Sequence, residues 1–86
     1  MASIDEIKAG VARFAAESSQ QVATLGGVTQ QLDQSSAGLR AVTSGTGHAQ
    51  VAEALARLQQ AKQKLAEAQQ LVSGAVEATR GYVSGL

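Results

Sequence analysis

Apolar side chains recur along this chain in steps of seven. Counted from Ile4, one series runs Ile4, Val11, Ser18, Leu25, Leu32 and Leu39, and a second runs Ile7, Phe14, Gln21, Val28, Ser35 and Val42. A pair of apolar rows three and four residues apart is the seam of a coiled-coil-like helix, here broken by the polar residues Ser18, Gln21 and Ser35. The pattern predicts a first helix over about 4–42. It stops at Thr43-Ser44-Gly45-Thr46-Gly47-His48, where Gly45 and Gly47 sit among hydroxylic residues, as a chain reversal requires. It resumes as Val51, Leu58, Leu65, Val72, Thr79 and Leu86, alternating with Ala54, Ala61, Ala68, Ala75 and Tyr82. A second helix is predicted over about 49–84. The expected fold is all-α, a single domain over 1–86 in the form of a long antiparallel two-helix hairpin.

Folding at the turn places residues level when their numbers sum to about 93. Leu39, Leu32 and Leu25 then face Ala54, Ala61 and Ala68, and alanines in every other layer let the two backbones approach closely. On this reading the hairpin core is Val11, Phe14, Leu25, Val28, Leu32 and Leu39 against Val51, Leu58, Leu65, Val72 and Tyr82. Phe14 and Tyr82, the two aromatic residues, would hold the open end together. A further row, Leu55, Val76 and Val83 with Ala15 and Val22, is left over and is expected to meet a partner. A seam half made of alanine offsets little of the conformational entropy lost on folding, so a lone hairpin should be marginal and dimerisation into a four-helix bundle is the expected remedy.

Local signals agree with these bounds. Ser3 followed by Glu6 is a capping box, and Asp5 and Glu6 complement the positive helix N-terminus. Gly26 and Gly27 interrupt the first helix without shifting its heptad phase, so both a bend and a straight passage are open.

Composition removes most chemistry. The 86 residues include no proline and no cysteine, with seven basic and seven acidic side chains. Disulfides, thiolate metal sites and cysteine nucleophiles are therefore excluded. His48 is the sole histidine and reads as a helix N-cap or an exposed turn residue, so no metal site is expected. Gly45-Thr46-Gly47 lacks the Lys-Ser/Thr pair and the preceding strand of a phosphate-cradling loop. The seven carboxylates are spread along both arms, and no catalytic constellation or cofactor site is expected. Arg57, Lys62 and Lys64 form the densest basic group, yet Glu53 and Glu67 stand at ion-pair spacing from Arg57 and Lys64. With neutral net charge and 2% aromatics, neither nucleic acid nor a membrane surface is an expected partner. No apolar run approaches a membrane span and no signal peptide is evident, so the expected location is the cytoplasm, or outside the cell by export without a cleaved signal. Between Ser18 and Leu32 there is no charge at all, which fits both close packing against another surface and a low-charge helix surface that has no partner.

Two long antiparallel helices, a glycine-bearing turn near the middle and a length just under a hundred residues resemble the WXG100 proteins of type VII secretion and related small hairpins. Thr43-Ser44-Gly45 stands where that family carries Trp-x-Gly, and Tyr82 is followed at the fourth position by Leu86 rather than an acid. The run Ser44-Gly45-Thr46-Gly47-His48, then Val51, Ala54, Leu55 and Leu58, with Tyr82-Val83 near the end, resembles the helical-hairpin modules of actinobacterial polymorphic toxins. The resemblance implies a non-enzymatic adaptor that pairs with itself or with a helical segment of a larger, secreted effector. The alternative is a structural self-assembly module with no client protein.

Overall fold

The computed structural model describes residues 2–45 and 47–86; Thr46 of the expected turn lies outside them. Two α-helices, α1 (Ile4–Val42) and α2 (Ala49–Ser84), pack antiparallel in a rod of 64 × 18 × 15 Å. The fold is the helical hairpin that the heptads imply, one helix thick. α1 alone accounts for about 58 Å of that length at 1.5 Å per residue.

The helix ends follow from their caps. Ser3 is in an extended conformation and its Oγ accepts a hydrogen bond from the Glu6 N–H at 3.1 Å, with Asp5 and Glu6 in the first turn. At the other end the Thr43 N–H and hydroxyl both reach the Leu39 carbonyl, and Gly45 takes φ +87°, a left-handed conformation that costs glycine little. His48 caps α2: its Nδ1 accepts from the Gln50 N–H at 3.2 Å. The α-helix runs unbroken through Gly26 and Gly27.

Two cross-helix bonds fix the register. The Gln69 side-chain amide donates to the Val22 carbonyl at 2.9 Å, and Lys62 pairs with Asp33. Their number sums, 91 and 95, straddle the expected 93. The inward rows pair at a sum of 94, one residue from the 93 these two bonds average, which sets Val11, Ser18, Leu25, Leu32 and Leu39 level with Val83, Val76, Gln69, Lys62 and Leu55. It also sets Ala15, Val22, Thr29, Ser36 and Thr43 level with Thr79, Val72, Leu65, Leu58 and Val51.

The seam corrects the expected one by a single residue on each helix. The series through Val11, Leu25, Leu32 and Leu39, and that through Val51, Leu58, Leu65 and Val72, are half-buried as expected. The companion rows differ. On α1 the inward row is Ala15, Val22, Thr29, Ser36 and Thr43, while Phe14, Gln21, Val28, Ser35 and Val42 are exposed. On α2 the inward row is Leu55, Lys62, Gln69, Val76 and Val83. Ala54, Ala61 and Ala68 flank it half-buried, and Ala75 and Tyr82 are exposed. Residues expected to await a partner thus close the hairpin, and Phe14, Val28 and Tyr82, expected in the core, border it.

Size explains the choice better than hydrophobicity. Ser18, only 1% exposed, is level with Val76, the buried apolar residue of the hairpin at 9%. Buried Ser36 is level with Leu58. A small residue on α1 opposite a branched one on α2 lets the helices close without a void, and a Phe or second Val in the same place would hold them apart. The threonines tolerate burial because their hydroxyls are satisfied within their own helix. Thr29 donates to the Leu25 carbonyl at 3.1 Å and Thr79 to the Val76 carbonyl at 2.8 Å, leaving their methyl groups for packing.

Candidate interaction face

In an antiparallel pair, the positions one residue before the inward rows lie on the same side of both helices. On α1 these are Ile7, Phe14, Gln21, Val28, Ser35 and Val42, and on α2 they are Ala54, Ala61, Ala68, Ala75 and Tyr82. None is charged. Leu71 borders this side from the same heptad position as Arg57 and Lys64, each three residues after one of these alanines and four before the next. Val42 is 81% exposed, Leu71 75% and Tyr82 57%, so this face presents apolar side chains along the length of the rod.

The opposite side has another character. It carries Ala12, Ser19, Gly26, Asp33 and Arg40 from α1, and Ala52, Gln59, Ala66, Ser73 and Arg80 from α2. Both cross-helix polar links sit here. The Asp33–Lys62 pair holds an ammonium that would otherwise lie bare in the seam, and Gln69 reaches Val22 beside Gly26, where a Cβ would stand 3.5 Å from its Nε2. A shallow cleft on this side is lined by Ser18, Ser19, Val22, Ser73, Glu77 and Arg80. Arg80 is already paired with Glu77 at 3.1 Å.

Arg57 and Lys64 fall as their spacing indicated. Arg57 pairs with Glu53 at 2.8 Å and Lys64 with Glu67 at 3.5 Å, all well exposed. Sequence spacing missed Lys62 with Asp33, which only the antiparallel register brings together. The row of Val22, Thr29, Ser36 and Thr43 at intervals of seven was its visible counterpart for the seam: a small, hydroxylic series without charge. Among the described residues no three His, Asp or Glu side chains gather as a metal site would require. No described helix is long and apolar enough to cross a membrane. Gly45, Gly47 and His48 border an open depression at the turn with Arg40, Val51 and Leu55.

Of the residues expected to meet a partner, Leu55, Val76, Val83, Ala15 and Val22 are all in or beside the seam. The free apolar surface is instead Phe14, Val28, Val42, Leu71 and Tyr82. No protein-family model, curated protein or solved structure matches this chain.

Proposed function

We propose that this chain is a non-enzymatic helix-packing module, an adaptor whose work is to complete a helical bundle with another helical surface. The observation that carries this reading is how little the hairpin buries by itself. Val76 is the buried apolar residue among those described, and the chain exposes 6191 Å². A folded monomer of 8.7 kDa exposes about 4,700 Å². The excess, roughly 1,500 Å², is of the order that a specific interface removes from solvent.

The face of Phe14, Val28, Val42 and Tyr82, bordered by Leu71, Arg57 and Lys64, is where that surface docks. The two rows next to the seam carry no charge, which suits helix-on-helix packing. The likeness to WXG100-type hairpins supports the adaptor reading, with a second hairpin or a helical segment of a larger exported protein as the kind of partner.

The test is circular dichroism with melting curves from nanomolar to high micromolar chain, alongside absolute mass. A hairpin that needs a partner gains helicity and melting temperature as its partner is supplied, whether by concentration or by a second protein. A monomer that is fully helical at nanomolar concentration, with a high and concentration-independent melting temperature, would overturn the proposal.

A further inference from the structure

We infer that the turn is a proton-sensitive latch, in which His48 caps α2 only while its imidazole is neutral and mild acid releases the start of that helix. The geometry of the cap carries this. His48 is in an extended conformation at the N-cap, and its Nδ1 accepts the Gln50 N–H at 3.2 Å. A ring nitrogen that accepts carries no hydrogen, so the neutral imidazole is the tautomer with its hydrogen on Nε2. An added proton then has one place to go, which is Nδ1, the acceptor itself. Capping and protonation therefore exclude each other. The Ser3 hydroxyl that caps α1 takes up no proton on mild acidification, so the two helix starts answer acid differently.

The charges described around the turn do not offset a cation there. The first turn of α2 holds no acidic residue, whereas α1 opens with Asp5 and Glu6. An imidazolium at the N-cap sits against the positive end of the α2 dipole. The charged group bordering the same depression from α1 is Arg40, itself a cation. On α2 the nearest carboxylate along the chain is Glu53, which pairs with Arg57 at 2.8 Å.

His48 also supplies the carbonyl to which the Val51 and Ala52 N–H groups bond, at 3.1 and 3.3 Å, so releasing this residue loosens the whole first turn. Val51 is half-buried in the seam, level with Thr43, and fraying to this point uncovers the last layer at the turn. Gly45, at φ +87°, leaves the connection free to follow. The capped state holds no proton on Nδ1 and the released state does, so the stability that the cap contributes is present at neutral pH and lost as the pH falls. The latch works at the turn whatever covers the outward face.

The test compares the unmodified chain with His48→Asn, a cap that accepts the same bond and takes no proton. Both are followed from about pH 7.5 to about pH 5.5, where carboxylates stay ionised and histidine changes charge. Circular dichroism reads helix content and melting temperature, and NMR of the Gln50 amide and the His48 ring locates the change. The unmodified chain is expected to lose helix and melting temperature relative to His48→Asn as the pH falls. The Gln50 amide is expected to move toward its unfolded position along the same titration curve as the His48 ring, with the ratio of released to capped first turn rising about fivefold, the effect of one cap. Glu6, beside Ser3, is expected to stay in place. Parallel curves for the two chains would overturn the latch, as would a Gln50 amide that does not move while the His48 ring titrates. An equal loss at Glu6 would make the acid response a property of the hairpin as a whole and would overturn it too.

Discussion

Two neighbouring rows of α1, one residue apart, meet opposite fates. Phe14, Val28 and Val42 are the more hydrophobic and face outward; Ala15, Val22, Thr29, Ser36 and Thr43 are smaller and face α2. The difference teaches that in a two-helix hairpin the seam goes to the row that lets the backbones close, provided its hydroxyls are satisfied locally. The greasier row is left for a surface that arrives from outside.

The largest expected effect comes from reversing size in the inward row. Ser36→Leu adds apolar volume at a site 7% exposed and level with Leu58, and is expected to destabilise the hairpin by about 1–3 kcal/mol in urea melts, although the chain becomes more hydrophobic. Ser36→Ala sharpens the point: the site stays small, and stability is expected to hold or rise by about 0.5 kcal/mol. If Leu at this position stabilises, size is not what selects the row.

On the outward side of α1, propensity rather than packing should govern. A methyl group at Gly27 would meet nothing within 4 Å, so Gly27→Ala is expected to stabilise by about 1 kcal/mol. Gly26→Ala is expected to gain about as much, since its Cβ would stand in ordinary van der Waals contact, 3.5 Å, with the Gln69 amide that binds Val22. A loss at Gly26 alone would mean that the added methyl displaces that amide.

Smaller changes probe the local satisfaction of polar groups. Thr29→Val keeps the branched shape and removes a hydroxyl that bonds only to Leu25 of its own helix, so melting should shift by no more than about 0.5 kcal/mol. Asp33→Asn removes the partner of Lys62 in a pair whose carboxylate is half exposed, and a loss under about 1 kcal/mol, shrinking further in high salt, is expected.

Much of this architecture was legible in the sequence. The heptads, the Ser3 and His48 caps and the glycines of the turn defined both helices, because each is a local signal that tertiary packing had no reason to override. The rotation of each helix about its own axis was not. Every helix here carries three candidate rows, and ranking them by apolarity favours Phe14 and Val28 over Thr29 and Ser36. Choosing correctly needs the volume facing each residue across the seam, which depends on the other helix. The same gap misplaced Leu55, Val76 and Val83, whose apolarity was read as a surplus when it is the larger half of the seam. Asp33 and Lys62 were visible as charges, and only the register made them a pair.

The most direct measurement uses Tyr82, the lone tyrosine in a chain without tryptophan. Its fluorescence quenching by acrylamide would be followed over a hundredfold concentration range, with absolute mass measured in parallel. The expected result is a quenching constant that falls in step with the rise in mass, as the face holding Tyr82, Leu71 and Val42 becomes covered. A mass that rises while Tyr82 stays as open as its 57% exposure in the single hairpin would contradict it, and would move the interface to the side of Asp33, Ser73 and Arg80.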